Sequence, residues 1–434
     1  MTLVLAAVRG RDWLFGRVKT TVVETRPSAR WSMGYWSERQ IREGEQGWSD
    51  TDQYVCKACL DEPVLEAAVE AEADPGEACS FCGSSPAASL DVVMELFVQG
   101  VRHLYDRTID VLYWDDDVTP RMTTDELVWE FADIFVGGED LIEAVQASMG
   151  YEEWVATDFA VPHHGDAMMF AWEQFSHAVK FETRYVIWLK TPDPYEGERG
   201  EVPVAEILNK VADIVDEFDL VKEQPALNAW WRAQPHDAAA IDHTPGRLGT
   251  VPAHLANKPN RMSPAGIPMF YGAQTPATAI AEVLSSPPAG GPVPTYVTCA
   301  AFQTSRTTRV LDLTSLAPIP SVFDPDNWYL FHKLRFLHRF VDQLSSKATP
   351  EWEAVDYVPT QVLTEFFLRV YGQPDESLDG IVYRSAVTGE PAVVLDVTNS
   401  RCVDHDPSWP TAPNVELLLG LDVSSIDTKA APPS

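Results

Sequence analysis

The sequence predicts an α+β protein in which a cysteine-containing module and a helical bundle precede a mixed domain of strands and helices. Three observations support this fold class. Two Cys-x2-Cys pairs lie near the start of the chain. Apolar residues then recur at the 3.6-residue period of amphipathic helices from about residue 87 to residue 182. After about residue 225 the pattern changes to short β-like runs, which are separated by Pro and Gly and interrupted by two helical segments.

The composition limits both the class of protein and its partners. The chain has 434 residues, of which 45% are hydrophobic, so two or three domains with a real core are expected. The formal net charge of −33 disfavours binding to nucleic acid or to an anionic membrane surface. No apolar run approaches the roughly 18 residues that span a bilayer, and the N-terminus lacks the order of a secretory signal. Six cysteines do not form a disulfide framework in this length. A cytoplasmic protein is therefore expected.

The first 32 residues have the opposite charge balance to the rest of the chain, with six basic residues against two acidic ones. One interpretation is a basic arm. The interpretation that we favour is a misassigned start, with true initiation at Met33. Residues 1–32 are accordingly expected to be a disordered or misassigned extension.

The two cysteine pairs, Cys56/Cys59 and Cys79/Cys82, are separated by 19 residues, a spacing typical of a structural zinc site. Each pair can form a tight turn whose two thiolates face one ion, and four thiolates complete a tetrahedron. No position is then left for water, so the metal is expected to be structural and not catalytic. The alternative is four thiols with an accidental spacing. We assign residues 33–86 to this zinc-binding module.

Helical patterns define the next part of the chain. An apolar face begins at Leu90, Thr123 and Glu126 form a capping box, and Gly150 is a C-cap for a helix that starts near residue 141. The predicted boundaries are a helical domain at 87–185, a linker and helix at 186–225, a mixed domain at 226–405 and a loose Pro-rich tail at 406–434.

Residues 261–284 of the mixed domain bring three chemically useful side chains into one strand–turn–helix unit. Residues 267–271 are predicted to form a buried strand that ends at Gly272. Thr275 can cap the following helix, which should cover residues 277–284. Glu282 would then lie within reach of the strand end. A carboxylate near a guanidinium and a phenol suits a site that stabilises positive charge developing on a sugar ring.

Three blocks of this domain resemble the RES family: residues 261–271, residues 278–282 and residues 379–385. The resemblance implies an ADP-ribosyltransferase-like fold, consumption of NAD and, for many members, a toxin in a toxin–antitoxin pair. Residues 33 to about 185 resemble the N-terminal module of some RES proteins, a zinc knuckle followed by a HEPN-like helical domain. The motifs at residues 36–40, 47–49 and 54–56 match the opening of that module.

The resemblance also implies site residues. Glu282, Ser385 and Tyr271 correspond to the catalytic positions. Arg261 and, in a looser match that Arg247 rivals, Arg232 correspond to residues that bind the NAD pyrophosphate. Each has an ordinary alternative: a surface acid for Glu282, a strand-ending turn for Ser385, a core tyrosine with a satisfied hydroxyl for Tyr271, and surface ion pairs for the arginines.

The expected function is that of an NAD glycohydrolase or ADP-ribosyl-transferring enzyme with a toxin or defence role and with a protein antitoxin or an ADP-ribose acceptor as partner. NAD is expected as a substrate, because no Gly-x-Gly-x-x-Gly motif follows a strand. The alternative is a zinc/HEPN-like regulatory module that binds a protein or RNA and carries an inactive RES scaffold.

RNA cleavage by the HEPN-like part is disfavoured, since its only Arg-x4–6-His match, Arg247 with His254, lies in a Pro- and Gly-rich loop. In the motif at residues 357–361, Thr360 is interpreted as a capping or turn residue and Gln361 as a candidate pocket residue.

Overall fold

The structure, a computed structural model, describes residues 35–111, 121–157, 164–189, 202–285, 294–349, 351–372, 377–406 and 416–431. The predicted extension at residues 1–32 and the alternative start at Met33 lie outside these residues. The chain divides into two compact units, Met1–Trp48 and Ser49–Ser434. The described part of the first unit contains one helix, α1, at Tyr35–Gln46. All other elements belong to the second unit. No helix of the described residues is long and apolar enough to cross a membrane.

The second unit combines twelve helices with fifteen strands in its described residues. The helices are α2 (Pro63–Glu72), α3 (Leu90–Leu104), α4 (Thr108–Val111), α5 (Thr124–Glu130), α6 (Glu139–Met149), α7 (His164–Phe181), α8 (Ile207–Glu217), α9 (Pro245–Leu248), α10 (Pro276–Leu284), α11 (Trp328–Ser345), α12 (Glu353–Asp356) and α13 (Val358–Arg369). The strands are β1 (Tyr54–Val55), β2 (Ala88–Ser89), β3 (Tyr105–Arg107), β4 (Met122–Thr123), β5 (Glu153–Ala156), β6 (Val221–Gln224), β7 (Ala229–His236), β8 (Phe270–Ala273), β9 (Tyr296–Thr304), β10 (Thr308–Asp312), β11 (Gly380–Arg384), β12 (Pro391–Leu395), β13 (Cys402–Asp404), β14 (Leu419–Leu421) and β15 (Asp427–Ala430). This mixture confirms the predicted α+β class.

The N-terminal half of the unit is mainly helical, as predicted. The predicted apolar face of α3 is buried, with Val93, Met94 and Phe97 fully inaccessible. The capping box is present, because the Thr123 hydroxyl and the Glu126 carboxylate each accept a hydrogen bond from the backbone N–H of the other residue. The half also contains a small antiparallel sheet, in the order β3-β5-β4, that the sequence pattern did not predict. Its strands are two to four residues long, too short for a period-2 pattern to be visible.

The C-terminal half is built on a ten-stranded sheet in the order β13-β14-β9-β7-β8-β12-β11-β10-β6, with β15 also paired to β9. Alternate residues of the central strands point to opposite faces. Ile381 and Val394 contribute to one apolar cluster, while Val382 and Val393 contribute to the other. The first cluster is covered by α7, α8, α11 and α13, so the helical half and the sheet share a continuous core. Trp172 of α7 illustrates this packing, because its ring meets Phe340 of α11 edge-on at 4.8 Å.

The chain after residue 405 departs from the expected loose tail. Strand β14 pairs with β9 and β13, and β15 pairs with β9, so residues 419–421 and 427–430 belong to the sheet. Leu419 and Leu421 are fully buried, and this burial explains why the segment is ordered against the sheet. The Pro-rich stretch that suggested a tail falls at residues 407–415, which lie outside the described residues.

Candidate functional site

The strand–turn–helix unit forms, with two corrections. Strand β8 begins at Phe270, and Ile267, which was predicted to lie in a buried strand, is 42% exposed in the loop before it. Thr275 caps α10 by accepting a hydrogen bond from the Thr278 backbone N–H at 3.2 Å, and Pro276 occupies the first turn. Gly272, however, lies inside β8 and does not end it. A Cβ atom at Gly272 would stand 2.9 Å from both the Phe270 ring and the Trp230 Cβ atom. The glycine therefore permits a close approach of neighbouring side chains instead of breaking the strand.

Glu282 and Ser385 meet in space although 103 residues separate them. The Ser385 hydroxyl donates a hydrogen bond to Glu282 Oε1. It also accepts hydrogen bonds from the backbone N–H groups of Val387 at 3.1 Å and Thr388 at 3.2 Å. Ser385 is buried and begins the turn between β11 and β12, whereas Glu282 is half-buried on the last turns of α10. The serine is thus fully engaged and orients the carboxylate.

The turn is also attached to the helix at a second point. The hydroxyl groups of Thr278 and Thr388 lie 3.2 Å apart, so that α10 and the β11–β12 turn make two side-chain contacts. Glu282 Oε2 has no hydrogen-bond partner among the described residues. One carboxylate oxygen is therefore held by Ser385, and the other is available to a ligand.

Tyr271 places its hydroxyl in the loop that precedes β8. The hydroxyl accepts a hydrogen bond from the Met262 backbone N–H at 3.2 Å and lies 3.0 Å from the Ser263 hydroxyl. Burial raises the pKa of Tyr271 to about 12, so the phenol is protonated at neutral pH. This is the arrangement of a core tyrosine with a satisfied hydroxyl, the alternative that the sequence left open. The Tyr271 hydroxyl therefore attaches β8 to the loop at Met262 and Ser263.

Arg261 lies in that loop and is half-buried. Within the described part of the chain, its guanidinium makes neither a hydrogen bond nor an ion pair. Its charge lowers the pKa of Tyr271, an effect secondary to burial and to hydrogen bonds from neighbouring groups. A guanidinium with all its donors available can bind an anionic group in a bidentate manner.

Arg232, the second predicted ligand-binding arginine, is tied to the backbone. Its Nε atom donates to the Gly249 carbonyl at 3.0 Å, and its Nη1 atom donates to the Tyr271 carbonyl at 2.8 Å. The guanidinium also lies over the Phe270 ring, 5.4 Å from its centre. Burial lowers the pKa of Arg232, although an arginine stays charged. These contacts favour a supporting function, in which Arg232 joins β7, β8 and the residue 249 turn.

Tyr383 belongs to the same site but was not singled out from the sequence. It lies two residues before Ser385 on β11 and is 8% exposed. Burial raises its pKa, and the nearby Tyr271 hydroxyl raises it further. Arg261 lowers the pKa of Tyr383, whereas Glu282 raises it. The period of two along β11 was the signal that could have placed Tyr383 beside Ser385.

The four predicted metal ligands form a separate cluster. Their sulfur atoms all lie within 4.8 Å of one another, and three of the cysteines are buried while Cys82 is exposed. The Sγ–Sγ distances are 3.7 Å for Cys56–Cys59, 3.4 Å for Cys56–Cys82 and 3.7 Å for Cys59–Cys79. Zinc–sulfur bonds of about 2.3 Å in a tetrahedron require sulfur atoms about 3.8 Å apart. The cluster therefore fits a tetrahedral metal ion held by thiolates.

Local backbone geometry explains how each cysteine pair turns. The Cys59 N–H donates to the Cys56 carbonyl at 3.0 Å, and the Gly83 N–H donates to the Cys79 carbonyl at 2.9 Å. Gly83 has φ +74°, a left-handed conformation that suits glycine. Hydrogen bonds from Ser84 lower the pKa of Cys82 to about 6, whereas burial raises the pKa of Cys56. The thiol of Cys82 is therefore more easily ionised than the thiol of Cys56.

Comparisons with known proteins agree with the resemblance seen in the sequence. Residues 72–193 match the family model described as HEPN/RES N-terminal domain 1, and residues 229–416 match the model described as RES domain. Searches among curated proteins and among solved structures gave no significant match. The RES match associates the chain with NAD-utilising enzymes in general. The chain therefore contains a RES domain that is preceded by a HEPN/RES N-terminal domain.

Proposed function

We propose that the RES domain cleaves the bond between nicotinamide and ribose in NAD and passes ADP-ribose to water or to another acceptor. The observation that carries this proposal is the Glu282 carboxylate, which is half-buried and oriented by the Ser385 hydroxyl. Nearby, Arg261 has a guanidinium without a hydrogen-bond or ion-pair partner among the described residues. An acid and a cation that do not pair with each other suit a substrate that carries a positive ring and, on the far side of the adjoining ribose, a pyrophosphate.

The chemistry follows from the charge that develops during bond cleavage. As nicotinamide leaves, the ribose acquires oxocarbenium character, as in glycoside hydrolysis. A carboxylate fixed before the reaction stabilises this charge without having to reorganise. In the proposed arrangement, Ser385 holds Oε1 of Glu282, and Oε2 accepts hydrogen bonds from the ribose hydroxyl groups. The half-buried position strengthens the attraction because water screens it less.

Arg261 is proposed to bind the pyrophosphate, where two of its N–H groups can donate to two phosphate oxygens. Tyr383 keeps its proton because burial raises its pKa, so its hydroxyl can donate to the substrate. Tyr271 and Arg232, for which the resemblance to RES domains implied roles in catalysis and in NAD binding, are proposed to support this site through the loop and strand contacts described above.

The four cysteines are proposed to bind one structural zinc ion. Zinc would cross-link the two cysteine turns and thereby stabilise the fold of the knuckle. With four thiolate ligands the ion has no open position, so it takes no part in NAD cleavage. From the RES family we also propose a toxin or defence role, with a protein antitoxin or an acceptor of ADP-ribose as partner. Action in the cytoplasm is proposed from the composition and the cysteine usage of the sequence.

The test follows nicotinamide release from NAD by purified full-length protein. Glu282→Gln keeps the side-chain volume and removes the charge, and it should lower turnover at least about 100-fold. Glu390→Gln is the matched control, because Glu390 lies in the same β11–β12 turn region but is exposed. This control should keep the wild-type rate.

If the rate of nicotinamide release falls equally in both variants, or falls in neither, Glu282 has no part in the mechanism. If the wild type neither releases nicotinamide nor binds NAD in calorimetry, the proposed activity is wrong. That outcome would favour the alternative in which the RES part is an inactive scaffold for a regulatory zinc/HEPN-like module.

A further inference from the structure

The loop that carries Arg261 is held by two side chains from the first turn of α13, Thr360 and Gln361, which we call the α13 clasp. The Thr360 hydroxyl donates a hydrogen bond to the Arg261 carbonyl, and it also lies 2.8 Å from the Tyr357 carbonyl. Gln361 Nε2 donates to the Asn260 carbonyl at 2.8 Å and lies 3.5 Å from the Ser263 carbonyl. Both clasp residues are buried, at 8% and 7% exposure, although their side chains are polar. Buried polar groups in proteins are nearly always hydrogen-bonded, and here both side chains form hydrogen bonds with the same short loop.

The contacts continue from the loop to the strand that follows it. Met262 and Ser263, which lie between the clasp and the strand, are the two residues that contact the Tyr271 hydroxyl. The loop is therefore attached at one side to α13 and at the other to β8. Because 99 residues separate Thr360 from Arg261, these bonds join parts of the chain that local structure would not bring together.

The Arg261 side chain itself has no comparable attachment. Its guanidinium has no hydrogen bond or ion pair with a described residue, so its position depends on where the backbone of residue 261 is held. A long side chain loses considerable conformational entropy when it binds a ligand. Fixing the backbone of residue 261 reduces the conformational entropy that its side chain must lose on binding. A displacement of about 1 Å in a group that binds the substrate can lower activity about 100-fold.

We propose that Thr360 and Gln361 are positioning residues that hold the Arg261 loop in the conformation needed to bind the pyrophosphate of NAD. This inference rests on the proposed function. It assigns Gln361 a contact with the loop backbone instead of the pocket lining that the sequence suggested. Neither residue needs to touch NAD, because both act through the carbonyl groups of residues 260–263.

The main variant is Thr360→Val, which keeps the shape and removes the hydroxyl. Thr364→Val is the matched control: Thr364 lies one turn later on α13, is 1% exposed, and donates its hydroxyl only to the Thr360 carbonyl at 2.7 Å. Thr360→Val should raise the KM for NAD about tenfold with a smaller change in kcat, since Arg261 is assigned to binding. Thr364→Val should change neither, and Thr360→Ser should restore the wild-type KM.

Two further measurements separate this inference from the proposed activity. The first is calorimetric binding of NAD to Glu282→Gln protein, with and without Thr360→Val, so that NAD is not consumed. The second is amide hydrogen exchange of residues 256–269 without NAD, which should increase in Thr360→Val but not in Thr364→Val.

Unchanged exchange in Thr360→Val, or NAD binding as tight as in its parent, overturns the positioning role even if the enzyme is active. A wild type that does not bind NAD overturns the proposed function and, with it, the role in NAD binding. Faster exchange together with weaker binding, both rescued by Thr360→Ser, supports the inference.

Discussion

The four-cysteine cluster and the Glu282–Ser385 pair are held together by different means. Each cysteine pair lies within one short turn, and the two turns are separated by only 19 residues. Four thiolates in a space of 4.8 Å repel one another unless a cation binds them. Glu282 and Ser385, by contrast, are 103 residues apart and meet because α10 and the β11–β12 turn pack on the same sheet.

The difference shows which site depends on an ion and which depends on the global fold. Removing the ion should loosen the cysteine cluster locally, since the cluster supplies little apolar surface of its own. Removing one hydrogen bond from the carboxylate site should leave the fold intact, because the sheet holds both partners. The following predictions examine this contrast in order of decreasing effect.

The largest effect is expected from loss of a cysteine ligand. The wild-type protein should contain about one zinc ion per chain, and Cys59→Ser should abolish tight binding, because a three-ligand site loses much of its affinity. The melting temperature should fall clearly, as it should when a chelator removes the ion from the wild type. Metal content by elemental mass spectrometry and calorimetric melting provide the measurements.

Cys299→Ser is the control for this prediction. Cys299 is 2% exposed on β9 and lies outside the metal cluster. Its substitution should lower stability through the buried hydroxyl and leave the zinc content at the wild-type level. A wild type with far less than one metal ion per chain would contradict the zinc assignment.

The next effect concerns the hydrogen bond between Ser385 and Glu282. Ser385→Ala should lower kcat for NAD cleavage by about tenfold to 100-fold, because the carboxylate loses the donor that orients it. The melting temperature should change little compared with Cys59→Ser, and the zinc content should not change. Single-turnover measurement of nicotinamide release tests the rate. A normal kcat would show that the carboxylate needs no orientation by Ser385.

The same contrast explains how much of each site could be predicted from the sequence. Cys56, Cys59, Cys79 and Cys82 are local pairs, so their spacing alone predicted the cluster. The helix at α10 was predicted from its Thr275 cap and Pro276. That Glu282 faces Ser385 was implied only by the resemblance to RES domains, because no local pattern records which strand a helix packs against.

Other features depended on tertiary contacts that a single sequence does not show. Gly272 looked like a strand terminator, but its lack of a side chain serves the close packing of Phe270 and Trp230. Arg232 looked like a ligand-binding arginine, but two backbone carbonyls hold it. The strand at Leu419–Leu421 was missed because it is three residues long and follows a Pro-rich stretch.

A smaller effect, confined to stability, is expected at the contact between the helical half and the sheet half. A Cβ atom at Gly100 of α3 would lie 2.5 Å from the Phe323 ring, so Gly100→Ala forces the ring or the helix to move. The expected loss is about 1–3 kcal/mol in the free energy of unfolding. NAD turnover below the melting transition and zinc content should stay unchanged, since neither site includes this contact.

Gly44→Ala is the matched substitution, because a Cβ atom at Gly44 of α1 meets no atom within 4 Å. It should be neutral or raise stability by up to about 1 kcal/mol through helix propensity. Urea denaturation measures both variants. If Gly100→Ala also reduced turnover well below its melting temperature, the carboxylate site would depend on packing between the two halves.

The smallest effect is expected from Tyr271 at high pH. Burial raises the pKa of Tyr271 to about 12 in the folded protein, whereas an unfolded tyrosine has a pKa of about 10. The folded state therefore keeps its proton longer, and the stability from this group is fully present below about pH 10 and is lost as pH rises towards about 12. Tyr271→Phe should unfold more easily than the wild type at pH 8, because the bonds to Met262 and Ser263 are gone. Its stability should then fall less steeply above pH 10, so the two curves converge.

Tyr151→Phe, at an exposed position, should follow the wild type throughout. Parallel curves for Tyr271→Phe and the wild type in urea titrations from pH 8 to pH 11 would show that the phenol is not buried, and the loop that carries Arg261 would then lack its attachment to β8.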